Sequence, residues 1–236
     1  MHSLYGILDI NTLVARGLDP EAVCEAWVRA GVRQIQLRAK SLPSGPLLEL
    51  TIRLRRLCHA EAAGHAERGA ESRGAVEFIV NDRADIAVMA GADGVHLGQD
   101  DLKPSEISRM LSNSGNRISP RGPRALRVMG LSTHNLDQLR AGLAEPATYF
   151  AIGPVFSTGS KANADPVVGL EGVRAAADLL KADGRPLVAI GGITLDRIAP
   201  VIAAGASSVA VISDLLTASP GERAQEYLSR LSELPI

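Results

Sequence analysis

Cysteine is nearly absent. The two that occur, Cys24 and Cys58, fall in helix-like segments with no CxxC and no His–Cys spacing, which argues against a zinc site and a disulfide scaffold and fits a reducing compartment. Excess charge is missing as well. Lys plus Arg total 25 against 26 Asp plus Glu, a formal charge of -1, so no overall field favours nucleic acid or an anionic membrane, and any basic site must be local. The N-terminus MHSLYGILDI has no basic segment followed by a long apolar run, and no stretch approaches the roughly 20 apolar residues of a spanning helix. A cytoplasmic location without membrane or nucleic-acid partners is the expectation. Also lacking is a GxGxxG turn after the first strand, where ILDINT stands, and this argues against a doubly wound dinucleotide fold. What remains is a chain of 236 residues, 46% hydrophobic, enough to bury the core of one large α/β domain.

The organising stretch is FIVNDRADIAVMAGADGVHLGQDD, from Phe78 to Asp101. Phe78 to Val80 is a short apolar run, Ala84 to Ala90 has helix-forming character, Gly91 can end that helix, and Gly94 to Leu97 is apolar again. This is a strand–helix–strand unit. Asn81 and Asp82 follow the first strand, and Gln99, Asp100 and Asp101 follow the second, so parallel strands bring these polar groups to one sheet edge. Carboxylates gathered there suggest a metal or a phosphate–metal complex.

Similar units fill the rest of the chain. Strands are predicted at Leu4 to Leu8, Gln34 to Leu37, Arg127 to Leu131, Tyr149 to Ile152, Leu187 to Ile190 and Ser208 to Ile212. Helices are predicted from Asp19-Pro20 to Gly31, Pro46 to Ala63, Pro104 to Leu111, from an Asn135/Gln138 capping box, and over Leu170 to Leu180, Leu195 to Ala204 and Pro220 to Leu231. Eight strands, each followed by a helix-like segment, predict a single-domain (β/α)8 TIM barrel. Surface insertions are expected at 64–74 and 112–125.

In such barrels the active site lies at the C-terminal ends of the strands. The polar residues there are Gln36, Arg38, Lys40, Asn81, Asp82, Asp101, Ser132, Thr158, Ser160, Lys161, Gly191, Gly192 and Ser213. Three cations, two carboxylates and several hydroxyls together suit a substrate carrying a pyrophosphate with a divalent metal. Singly, each has a plainer reading: a cation after a strand is commonly a solvated loop charge, and Asp82 beside Arg83 reads equally as a helix cap with an ion pair. Gly191-Gly192 and Ile212-Ser213 fall where many barrels bind a phosphate, the plainer alternative being a tight turn with positive φ.

These residues sit in motifs that resemble one family along nearly the whole chain: IQLRAK at Ile35, NDRADIA at Asn81, GADGVHLGQDD at Gly91, GLSTHNL at Gly130, GPVFSTGSK at Gly153, AIGGIT at Ala189 and VISDL at Val211. Jointly and in this order they resemble the thiamine-phosphate synthases. The resemblance implies a Mg2+-dependent transferase. Its small-molecule substrates would be 4-amino-5-hydroxymethyl-2-methylpyrimidine diphosphate and 4-methyl-5-(2-phosphooxyethyl)thiazole, joined with release of pyrophosphate. It further implies that Asp82 and Asp101 hold Mg2+, that Arg38, Lys40, Asn81 and Lys161 bind the diphosphate, and that Gln36 and Ser132 address the pyrimidine. Thr158, Ser160, Gly192, Ile212 and Ser213 would serve the thiazole phosphate. Arg38, Lys40, Lys161 and Ser132 are thereby the catalytic candidates, in a dissociative reaction that needs no covalent nucleophile. The family pattern TxTK reads here Thr158-Gly159-Ser160-Lys161, which keeps both hydroxyls. The loop Phe156 to Asp165 is expected to close over the diphosphate. A homo-oligomer is left open.

Two histidines invite a chemical role. His96 lies within a strand and reads as structural. His134 follows strand five, where related thiazole tautomerases use a histidine for proton transfer, so an isomerase is one alternative. A non-catalytic barrel that binds thiamine phosphate is another. The diphosphate and metal residues weigh against both, and a positional or capping role is expected for His134.

Overall fold

A computed structural model of the chain describes residues 2–66, 76–113, 126–158 and 165–235. Eight parallel strands close into a barrel in chain order, β1 pairing with both β2 and β8. They are β1 (Ser3–Asp9), β2 (Gln34–Arg38), β3 (Glu77–Asn81), β4 (Gly94–Leu97), β5 (Val128–Thr133), β6 (Tyr149–Ile152), β7 (Leu187–Ile190) and β8 (Ser208–Val211). The helices are α1 (Ile10–Ala15), α2 (Pro20–Ala30), α3 (Ser44–Ala66), α4 (Ala84–Ala90), α5 (Pro104–Asn113), α6 (Leu136–Gly142), α7 (Gly169–Leu180), α8 (Ile198–Ala203) and α9 (Pro220–Ser232). A 3-10 turn over Leu195–Arg197 precedes α8. Among the described residues, no helix is long and apolar enough to cross a membrane.

Two apolar layers hold this together. Outward-facing strand residues such as Leu4, Leu8, Ile35, Leu37, Phe78 and Val80 pack beneath the helices in one continuous core. The alternate positions point into the barrel, where Ile7, Ile79, Val128, Val188 and Ala210 pack with Tyr5 and Tyr149. Local signals fix the element ends. Asp19 accepts from the Ala22 N–H at 2.8 Å and Pro20 opens α2, which Gly31 ends at φ 108. Glycine also makes room inside strands: a Cβ on Gly6 would lie 2.8 Å from the Trp27 ring.

Several boundaries differ from expectation. β5 runs on to Thr133, so Ser132 lies inside the strand. α1 was not expected: Asp9 ends β1 and at once caps this helix, accepting from the N–H and hydroxyl of Thr12. α3 continues to Ala66, into the expected insertion at 64–74, and α5 to Asn113; residues 67–74 and 114–125 of the two expected insertions lie outside the described residues. Cys24 and Cys58 are buried free thiols whose sulfurs stand 3.6 Å apart between α2 and α3.

Candidate active site

The site side chains lie on the last residues of the strands or in the loops that follow them. Arg38 closes β2 and is the register partner of Asp9 at the end of β1. The two form an ion pair in which Asp9 is nearly inaccessible. Asp9 thus has two duties, capping α1 and holding the Arg38 guanidinium. Sequence reasoning missed it, although an acid directly after an apolar run was the available signal.

After β3 comes Asp82, a non-glycine residue at φ 62. Aspartate tolerates this left-handed conformation better than most residues, yet strain of this kind collects at functional sites. The plainer reading of Asp82 fails here. Arg83 is the N-cap residue of α4, and its guanidinium pairs with Asp85 at 2.6 Å. Asp82 instead meets Lys40, Nζ to Oδ2 3.1 Å, and its charge acts on Asp101. Asp101 accepts from the Gly98 N–H at 2.6 Å. Burial, then the charge of Asp82, pushes the Asp101 carboxyl above its usual range, against the pull of Gly98 and Lys40. Two carboxylates whose charges act on one another form a site that a cation would relieve. A cavity of about 230 Å³ adjoins Asp82, lined also by Lys40, Leu47 and Asn81 among others. Among the described residues no group of three or more His, Cys, Asp or Glu could hold a metal, so a metal here would need further ligands from substrate or water.

Gln36 is buried within β2, and its Nε2 donates to the Tyr5 hydroxyl at 2.8 Å. Ser132 meets the buried His96, Nε2 to Oγ 2.8 Å, and its carbonyl accepts from Gln99 at 2.6 Å. Burial lowers the His96 pKa to about 4, outweighing the opposite effect of Asp82. The imidazole is therefore neutral near pH 7, as suits a structural role.

On the other side of the mouth, Gly191 and Gly192 both adopt positive φ. A Cβ on Gly192 would lie 2.6 Å from the Ser157 carbonyl oxygen, so the loops after β6 and β7 touch here and only glycine fits. Arg197 fastens the contact, donating to Gly192 O at 2.8 Å and lying 4.6 Å over the Phe156 ring. Thr158, in the loop after β6, and Ile212 and Ser213, directly after β8, are all part-buried, and Arg16 donates to Ser213 O at 2.7 Å. Ser160 and Lys161 lie outside the described residues, as does most of the expected closing loop. His134 bonds the Gly153 carbonyl through Nδ1 at 2.7 Å. Asn135 caps α6 by accepting from Gln138 N, and Gln138 returns to the N–H of His134 rather than of Asn135. A wider groove of about 700 Å³ lies elsewhere, beside α9; its arginines are already paired, Arg223 with Glu226 and Arg230 with Glu233.

With this geometry in view, a profile of the family described as thiamine monophosphate synthase matches residues 4–215. The chain belongs to that family. It is 44% identical over 233 residues to the thiamine-phosphate synthase of Koribacter versatilis, covering 97% of this chain and 95% of that one. To the thiamine-phosphate synthase of Anaeromyxobacter dehalogenans it is 41% identical over 212 residues, covering 90% and 82%. Its fold matches a solved thiamine phosphate pyrophosphorylase from Pyrococcus furiosus with a TM-score of 0.75 at 26% identity, covering 98% of this chain and 96% of that one. The chain is thus a transferase of thiamine biosynthesis, and neither the tautomerase nor the non-catalytic alternative is favoured.

Proposed function

We propose that the C-terminal ends of β2 to β5 carry out thiamine-phosphate synthesis by dissociation followed by capture. A pyrimidine diphosphate would lose pyrophosphate, and the nitrogen of a thiazole phosphate would take up the resulting cation. The observation that carries this reading is the Asp82–Asp101 pair, with Asp82 at positive φ and its charge acting on Asp101, Lys40 against it and Arg38 closing the neighbouring strand.

In this reading Asp82 and Asp101 hold Mg2+ and the substrate oxygens complete its shell. A divalent cation bound there would offset the negative charge that grows on the departing diphosphate. Arg38, oriented by Asp9, presents guanidinium N–H groups in a fixed direction, and Lys40 adds a mobile charge from its exposed stem. Asn81 supplies a neutral amide beside them, and Lys161 is assigned to the diphosphate from its motif. Gln36 and Ser132 hold the pyrimidine so that its exocyclic carbon faces the thiazole nitrogen, which makes the capture step effectively unimolecular. Thr158, Ser160, Gly192, Ile212 and Ser213 receive the thiazole phosphate, with the Gly191-Gly192 backbone able to approach an anion closely. His134, bonded to Gly153, holds the loop after β6 and transfers no proton.

The test is to supply both substrates with Mg2+ and follow thiamine phosphate and pyrophosphate together. Equal amounts of the two are expected. Pyrophosphate release without coupling, or rearrangement of the thiazole phosphate alone, would contradict the reading.

A further inference from the structure

Inside the barrel, beneath the proposed site, runs a line of polar side chains whose middle members, Tyr5, Tyr149 and His96, have no part in the chemistry described so far. Gln36 Nε2 lies 2.8 Å from the Tyr5 hydroxyl, Tyr5 2.9 Å from the Tyr149 hydroxyl, Tyr149 2.7 Å from His96 Nδ1, and His96 Nε2 2.8 Å from Ser132 Oγ. The line thus joins the two residues assigned to the pyrimidine, crossing from β2 through β1, β6 and β4 to β5. Gln36, Tyr5, Tyr149 and His96 are all buried. A buried polar network is no better for stability than apolar side chains of the same volume unless each member is satisfied, and Ile7, Ile79, Val128, Val188 and Ala210 pack around this one.

Space for this line is made by one glycine. Gly130 is the register partner of both His96 and Tyr149, and a Cβ there would lie 2.1 Å from the Tyr149 ring and 2.5 Å from His96 Nδ1. Because β5 presents no side chain at that point, the rings of β4 and β6 reach across it and stack with centroids 5.6 Å apart.

The hydrogen-bond inventory gives the line a direction. The Gln36 amide nitrogen only donates, so Tyr5 accepts there and gives its own proton to Tyr149. Tyr149 in turn donates to Nδ1 of His96. A neutral imidazole then carries its proton on Nε2 and donates it to Ser132, whose hydroxyl proton is released to point elsewhere. The Gln36 carbonyl oxygen stays outside the line. We propose that Tyr5, Tyr149 and His96 are positioning residues that fix the polarity of the two ends, so that Gln36 presents an acceptor and Ser132 a donor to an amino-substituted heteroaromatic ring. This rests on the assignment of Gln36 and Ser132 to the pyrimidine. An exocyclic amino group beside a ring nitrogen offers the complementary donor and acceptor, and a ring with that order reversed is refused because buried groups would be left unpaired.

The test combines nitrogen-15 NMR of the histidines with steady-state kinetics. Wild-type His96 is expected as the Nε2–H tautomer, and Tyr149→Phe, which keeps the ring and removes the donor to Nδ1, should abolish that preference. The same variant should raise KM for the pyrimidine diphosphate about tenfold, the equivalent of one hydrogen bond, and leave KM for the thiazole phosphate within about twofold. Ser132→Ala should raise the same KM, and the double variant should be no worse than Ser132→Ala, since both cut one line. Tyr5→Phe, one step further back, should give a smaller change in the same direction and serves if Tyr149→Phe does not fold. An Nδ1–H tautomer in the wild type overturns the proposal, because every bond would then run the other way. A raised KM in Ser132→Ala with an unchanged one in Tyr149→Phe overturns the proposal alone. An unchanged KM in Ser132→Ala overturns the pyrimidine assignment and the proposal with it.

Discussion

Asp93 and Asp101 stand at opposite ends of the same short strand, β4, and their surroundings are opposite too. Asp93, at the N-terminal end, accepts from His59 Nε2 at 2.8 Å, the Phe78 N–H at 3.0 Å and Arg127 at 2.8 Å. Burial would raise its pKa, yet these donors outweigh burial and hold it well below the carboxylate range. Asp101, at the C-terminal end, has Gly98 as a backbone donor and Asp82 as a carboxylate neighbour, and its pKa is raised. Asp93 is fully supplied with donors. Asp101 is left needing positive charge, which is what a metal with a diphosphate would bring.

The comparison can be broken most forcefully at Arg38, which has a share in both conditions. Arg38→Met should leave Asp9 buried without its partner, lowering stability by about 3 kcal/mol, and should also reduce turnover by at least about a hundredfold. Denaturant unfolding and kinetics on the same preparation check both. A stable variant would show that Asp9 does not depend on the pair.

Asp82→Asn should separate the two conditions. Asparagine tolerates the left-handed backbone, so stability should change by no more than about 0.5 kcal/mol, while kcat falls by about two orders of magnitude or more. Near-normal kcat would remove Asp82 from the site. Asp93→Asn should do the reverse, costing about 2 kcal/mol of stability with kcat/KM within about twofold. Its pH dependence has a definite sign. A carboxylate with a lowered folded pKa contributes stability that is present above the unfolded value of about 3.9 and is lost as pH falls below it. The melting difference between wild type and Asp93→Asn should therefore narrow between about pH 5 and pH 3, and a constant difference would contradict the hydrogen-bond account. The smallest effect is expected at His134→Gln, which should keep kcat within about tenfold, since only contacts to the loop after β6, at Gly153 and Asp165, are altered. A loss of several orders of magnitude with intact circular dichroism would restore proton transfer there.

The C-terminal end was the more legible in sequence. Apolar runs followed at once by polar residues marked the strand ends, and parallel pairing gathered Arg38, Asp82 and Asp101 without any knowledge of distances. What stayed hidden depended on register across the barrel. Nothing near Tyr5 or Tyr149 in the chain reveals that they meet, and Gly130 reads as a weak point in a strand until its two register partners are seen stacked across it. Asp9 was obscured for a different reason. It ends a strand and begins a helix with no intervening loop, so no turn residues mark it. Cys24 and Cys58 likewise come together through α2 and α3 packing rather than through any spacing.

The contrast between the two ends is tested most directly by calorimetry of inorganic pyrophosphate binding, with and without Mg2+, to the wild type and to Asp82→Asn. Mg2+ should tighten pyrophosphate binding to the wild type by at least about tenfold, roughly 1.4 kcal/mol, and this gain should vanish in the variant while binding without Mg2+ is unchanged or improved. An equal gain from Mg2+ in both proteins would contradict the claim that Asp82 and Asp101 at this end await a metal carried in by diphosphate.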